Sequence, residues 1–419
     1  MFFIKLYKRA LTVTVGIFCA ILFFTTCIHN EDRDPVIAMP DGNHLVGSLS
    51  CRNCHAAIYD SFISTAHYLT SKPAIKKYVK GNFDKNVKGN FDKNMYVYTP
   101  YEVIAMNDSG GDLYQVEYQN GKLLKAYKMD VVVGSGTRGQ SFLYWKGDQL
   151  YQLPVSYYTL SDSWSNSPGY PDYYPVFTRP VNNKCLGCHS SYAKILPDNK
   201  MENLKFDHEI VYGVNCERCH GPGGNHVDFY SQHSNEKNTK NIVNAARLSR
   251  RQQVDACAIC HSSGLMGSTN GLSFKTGDTL DHKMIQLDTT VKLDVHRNQY
   301  GLLTASKCFR ISGSLTCSTC HNVHQQERGN LSLFAQRCMT CHSPEKQNFC
   351  KMSAILDKTI LMKNCIDCHM PKRESHALTV KVSGNENHTP AVIRTHYITV
   401  YPEDAKKIEQ IIKGESSKR

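Results

Sequence analysis

The chain has 419 residues, 21% of them charged, a formal net charge of +12 and eighteen cysteines. That positive balance alone would suit nucleic acid or an acidic membrane surface, but no other feature supports nucleic-acid binding. The cysteines carry the argument instead, because fourteen of the eighteen fall into one repeated pattern.

Lys5, Lys8 and Arg9 precede an apolar run over residues 11–24, and the first acidic residue is Glu31. Residues 1–26 thus have the shape of an export signal. Cys27 follows Phe24, Thr25 and Thr26 and is the lipidation candidate, as in a bacterial lipoprotein. Thr26 departs from the usual small residue there, so a plain signal peptide and an uncleaved anchor stay open. The expected address is the periplasm or cell envelope, outside the cytoplasm, on a membrane through a lipid anchor. Residues 27–48, polar and proline-containing, read as a tether.

The first Cys-x-x-Cys-His unit comes next, and six more follow. Its cysteine pairs are Cys51 and Cys54, Cys185 and Cys188, Cys216 and Cys219, Cys257 and Cys260, Cys317 and Cys320, Cys338 and Cys341, and Cys365 and Cys368. The adjoining histidines are His55, His189, His220, His261, His321, His342 and His369. Composition alone would give about 0.03 such units in a chain of this length. Zinc sites also use Cys-x-x-Cys, but zinc gives no reason for a histidine after every pair. The two sulfurs suit the two vinyl groups of one porphyrin, and the histidine suits its iron as proximal ligand. Seven units imply seven covalent c-type haems.

Residues 49–78 form the first haem segment, with a helix expected over 56–70 that carries His67. Residues 79–180 read as an insert. It opens with a perfect tandem octapeptide, Val-Lys-Gly-Asn-Phe-Asp-Lys-Asn at 79–86 and again at 87–94, expected in an exposed loop. Alternation over 113–118 and 123–127 around Asn120-Gly121 predicts a hairpin, and 142–145 with 149–153 around Lys146-Gly147-Asp148 predicts another. Residues of about 95–160 thus read as a small antiparallel β module. The aromatics Tyr157, Tyr158, Trp164, Tyr170, Tyr173, Tyr174 and Phe177 are expected to cover the first and second haems.

Successive units then lie 134, 31, 41, 60, 21 and 27 residues apart, so six fall within residues 181–370. So dense a stretch cannot build an ordinary side-chain core. The expected fold is mainly α-helical and irregular, short helices packed around haems with little sheet, plus the inserted β module. Residues 371–419 form a C-terminal segment that supplies distal ligands. Removing residues 1–26 deletes three positive charges and leaves +9. Each haem with ionised propionates then brings the total to about +2 oxidised and about −5 reduced.

Of nineteen histidines, seven proximal ones and His29 aside, eleven remain as possible second axial ligands. His324 lies three residues beyond His321, on the same side of any helix, and should serve a neighbouring iron. His226, beyond the Gly-Pro-Gly turn after His220, and His67 should do likewise. Cys308 and Cys350 are either paired or two separate thiols.

The run from Cys51 to His67, Cys-Arg-Asn-Cys-His-Ala-Ala-Ile-Tyr-Asp-Ser-Phe-Ile-Ser-Thr-Ala-His, resembles the cytochrome c-552/4-like family of multihaem cytochromes c. That family includes the tetrahaem electron acceptor of hydroxylamine oxidoreductase. The run from Gly213 to His226, the Cys365 unit followed by Met370 and Pro371, and the Cys317 unit with His324 are similar to family elements too. The resemblance implies His67, His226, His324, His296, His376 and His396 as distal ligands, with a seventh from His44, His208 or His388. It covers the haem-bearing two-thirds of the chain, and seven haems exceed the family's best-known members.

Three functions fit. One is an electron carrier working with redox partner proteins. Another is an oxidoreductase acting on a small inorganic substrate such as nitrite, hydroxylamine or tetrathionate at one five-coordinate haem. The third is a docking role for the β module.

Overall fold

The computed structural model describes residues 34–83, 94–197, 204–262, 271–280, 293–346 and 348–416. The expected export signal, Cys27, His282 and most of the tandem octapeptide lie outside the described residues. The chain divides into two units, residues 1–34 and 35–419, and every element below belongs to the second. Among the described residues, no helix is long and apolar enough to cross a membrane.

Strands Met95–Thr99, Glu102–Ser109, Asp112–Gln119 and Lys122–Lys128 form a four-stranded antiparallel meander. Gln119 pairs with Lys122 across Asn120 and Gly121, whose φ values of 50° and 73° are those of the type I′ turn that Asn-Gly favours. The second expected hairpin joins Gly139–Lys146 to Gln149–Gln152. Its connection is two residues rather than three, because Lys146 still pairs with Gln149; Gly147, at φ 58°, supplies the positive dihedral.

This second hairpin belongs to a seven-stranded sheet that also takes in Ser71–Pro73, Val131–Val133, Val155–Tyr158, Ser163–Asn166 and Arg179–Pro180. Several of these strands are two to four residues long and carry no readable period, so the sheet outgrows the two predicted hairpins. Tyr96, Ile104, Met106, Leu113, Phe142 and Val155 fill one core shared by the two sheets. Gln115, fully buried, ties the sheets together: its Nε2 donates to the Val155 carbonyl at 2.6 Å and its Oε1 accepts the Val155 amide at 3.2 Å.

Three of the aromatics expected to shield haems, Tyr157, Trp164 and Phe177, pack inside this core instead. Tyr158 and Tyr170 are buried as well, whereas Tyr173 and Tyr174 are exposed. The large apolar area that made them attractive covers stabilises the module itself.

A second cluster, Val131, Leu143, Leu150, Val181, Leu186 and Phe206, joins the seven-stranded sheet to the helix Asn183–His189. Beyond it the chain is short helices: Cys216–His220, Gly224–Gln232, Arg250–His261, Gln299–Ala305, Lys307–Ile311, Leu331–Met339 and Lys358–His369. Side-chain caps start most of them. Asn182, Asn215, Asn298, Asn330 and Asp357 accept first-turn amides, and Ser249 with Gln252 forms a capping box.

The segment over residues 49–78 differs from expectation. Its helix is Ser48–Phe62, interrupted at His55 (φ −116°, ψ 41°), and it ends eight residues before the expected stop at Thr70. Ser61 and Ser64 hydroxyls donate to the Ile58 and Ser61 carbonyls at 3.0 and 2.9 Å, the local competition by which serine helps end a helix. Turns therefore place His67. The C-terminal segment also holds more order than expected, a hairpin of Lys372–Val380 with Thr389–Arg394 and a helix Pro402–Ser416. The fold is thus one of short helices and several antiparallel sheets.

Candidate haem-binding centres

Most units sit on a helix, where positions i and i+3 place both sulfurs on one face and the histidine follows at i+4. None of the fourteen cysteines of the units is in a disulfide. Neither is Cys308 or Cys350. Cys308 lies near Cys320 and Cys341, while Cys350 lies near Cys365 and Cys368.

Three histidines of the units lie close to a second imidazole. His261 and His67, His220 and His324, and His321 and His396 each have ring centroids 6.1 Å apart. That is too far for contact stacking, which Tyr127 and Phe177 show at 3.9 Å. It suits two imidazoles on opposite sides of one metal: two bonds of about 2 Å, each with about 1.1 Å from nitrogen to ring centre, span about 6 Å.

The electrostatics agree with that geometry. Burial pushes His67 and His396 down to about 4, helped in both cases by neighbouring histidines. Burial likewise lowers His189, His261, His321 and His324. The neutral ring so favoured is the form that ligates iron. Several rings are also aimed. Nδ1 of His220 lies 2.9 Å from the Val243 carbonyl, Nδ1 of His369 2.9 Å from that of Thr399, and Nδ1 of His189 2.9 Å from the Thr70 hydroxyl. Such outer partners fix the tautomer and leave Nε2 for a metal. The residues present therefore fit haem.

Among the described residues, the other implied ligands do not pair with the histidine of a unit at such a distance. His226 directs Nδ1 to the Lys240 carbonyl at 2.8 Å and packs on Tyr230. His296 is partly buried beside Arg297 and Arg138. His376 is exposed, its amide donating to Asp294 at 2.7 Å. Of the three proposed for the seventh place, His44 lies against Gly224 at the start of a helix. His208 stacks on Trp145 at 4.1 Å beside Asp148, and His388 pairs with Asp172 at 2.9 Å.

Two residues that sequence reasoning passed over hold units together, and both lie between the cysteines of one of them. Glu217, buried, accepts the amides of Val46, Gly47 and Gly223 at 2.9, 3.0 and 2.9 Å. Arg218 donates to the carbonyls of Gly187, Gly271 and Phe274 at 3.2, 2.6 and 2.9 Å. An adjacent acid and base in positions that haem attachment leaves free is the signal that could have exposed them. Arg337 does similar work, giving Nη1 to the Cys320 carbonyl at 2.7 Å while it pairs with the buried Glu327.

Residues 172–221 match the family described as cytochrome c554 and c-prime. Over 184 residues the chain is 25% identical to the multiheme cytochrome MtrA of Shewanella baltica (strain OS185), an alignment covering 39% of this chain and 53% of that protein. The chain thus spans about half the length of that curated relative. No solved structure matches.

Proposed function

Residues 172–221 form a cytochrome c554/c-prime family domain in a chain distantly homologous to a multihaem cytochrome, and from that premise we propose an exported seven-haem c-type electron carrier. The observation that carries this reading is the set of three facing histidine pairs, each with centroids 6.1 Å apart. In it, the seven cysteine pairs hold haem, the adjoining histidines are the proximal ligands, and His67, His324 and His396 are distal ligands. His226, His296 and His376 are proposed for other irons, on the family resemblance alone. Bound haem supplies one-electron chemistry, and paired histidines keep its iron closed to substrate and its potential below that of Met/His ligation. The chain's own work is to space the units, exclude water and keep the ligating rings neutral.

The export-type N-terminus and Cys27 support an address in the periplasm or cell envelope with a lipid anchor, and redox proteins as the partners. Magnetic circular dichroism of the oxidised holoprotein tests the carrier reading, with all haems low-spin and bis-histidine as the expected result. A high-spin haem would transfer support to the second reading, an oxidoreductase for a small nitrogen or sulfur compound. The surroundings of His189 favour that alternative: Arg297 lies near both His189 and Cys188, and Arg297 and Arg138 flank His296.

A further inference from the structure

The strand Lys372–Val380 does not pair evenly with Thr389–Arg394. Glu374 stands opposite Val392 and Thr379 opposite Pro390, so the four residues 375–378 bulge out against Ala391 alone. A bulge takes its amides out of the ladder, and they need another acceptor. Asp294 supplies it. Its Oδ2 accepts the His376 and Ala377 amides at 2.7 and 3.2 Å, and its Oδ1 accepts the Ser375 hydroxyl at 2.8 Å. Ser375 is fully buried, and its hydroxyl oxygen in turn accepts the Leu378 amide at 2.9 Å, so all four residues of the bulge are tied down. A regular strand would aim residue 376 by simple alternation; the bulge aims it anew.

The same carboxylate reaches a second histidine. Oδ1 also accepts the His296 amide at 2.7 Å, an Asx-turn that fixes the chain just before the helix Gln299–Ala305. Arg297, the next residue, has a φ of 63°, a conformation disfavoured for any residue with a side chain and kept only where the surroundings enforce it. With one histidine amide on each oxygen, the two backbone nitrogens stand no more than about 8 Å apart. We propose that Asp294 is the positioning residue for two distal ligands at once, holding His296 and His376 for two separate irons that gain or lose ligation through one carboxylate. This rests on the reading that these two histidines ligate haem. Two irons are needed because each already has the histidine of its own unit on one side.

The test is electron paramagnetic resonance of the oxidised holoprotein, once its denatured mass has shown that it carries haem. His296→Ala and His376→Ala should each convert one low-spin haem to high-spin. Asp294→Ala, which removes no ligand, should convert the same two haems together. The signals of the haems ligated by His67, His324 and His396 should survive in all three variants, which a general loosening of the fold would not spare. Asp294→Asn keeps one carbonyl oxygen and turns an NH2 group toward the other donors. The Ser375 hydroxyl can accept from that group and a backbone amide cannot, so the bulge and His376 should hold while the His296 haem alone turns high-spin. If the alanine variant does not accumulate, the asparagine variant decides. Altered spectra in both histidine variants, with none in the Asp294 variants, would overturn the positioning role and leave the ligands standing. Unaltered spectra in both histidine variants would overturn the proposal by removing His296 and His376 as ligands, with the other haems untouched. A mass without haem withdraws the haem reading itself, and the proposal with it.

Discussion

Replacing Glu217 by alanine should be among the most damaging single changes outside the cysteines and their iron ligands. The residue is 6% exposed and its carboxylate accepts three backbone amides, with Oε1 taking Val46 and Gly223 and Oε2 taking Gly47. Each buried donor left without an acceptor costs about 1–3 kcal/mol. These effects are not additive, so a total of about 3–5 kcal/mol is expected for Glu217→Ala. Glutamine separates the contributions, because a carbonyl in the Oε1 position keeps two amides satisfied while the NH2 group opposes the Gly47 amide. Glu217→Gln should therefore cost about 1–3 kcal/mol. Guanidinium unfolding of the purified holoprotein, followed by far-ultraviolet circular dichroism and haem absorbance, reads both from midpoints at constant slope. A loss under about 1 kcal/mol in the alanine variant, or equal losses in the two, would refute the clamp.

Alanine at His67, His324 or His396 should convert one haem to the high-spin state in electron paramagnetic resonance, while His208→Ala, whose ring is held by Trp145 and Asp148, leaves the spectrum unchanged; unaltered spectra in the first three would remove the facing pairs as ligands. Gly213 and Gly121 both have positive φ, 70° and 73°, but a Cβ at Gly213 would fall on the Tyr68 carbonyl and one at Gly121 meets nothing. Gly121→Ala should cost about 1–2 kcal/mol and Gly213→Ala should abolish accumulation of folded protein, so similar expression and melting of the two would contradict the packing there. Gln115→Leu strands the amide and carbonyl of Val155 between the sheets and should cost about 2–5 kcal/mol, whereas Leu124→Lys on the exposed edge strand should stay within about 0.5 kcal/mol. Equal melting temperatures for these two would deny Gln115 its bridging role.

Much of the fold was legible where one local rule acts alone. Asn120-Gly121 announced its turn because few residue pairs accept two positive φ values, whereas the caps at Asn182, Asn215, Ser249 and Asp357 emerged only from the structure. What else escaped depends on contacts distant in sequence. Ser71–Pro73 and Arg179–Pro180 are strands only because a sheet edge receives them. The helix at Ser48–Phe62 was read too far, since apolar spacing continues past the serines that end it. At the centres, the units themselves were evident from spacing, whereas the helices on which His67 and His324 were expected do not reach them, and turns carry both. The partner ring of each could not be read from the sequence, because those partners lie 194 and 104 residues away along the chain, at His261 and His220.

The central claim, seven covalent haems on one chain, is tested most directly by the mass of the purified holoprotein under denaturing conditions. The expected mass is that of the mature chain plus seven haem groups, with one group lost for each cysteine pair replaced by alanine. A bare chain mass, or a native mass explained by zinc that leaves on denaturation, would contradict it.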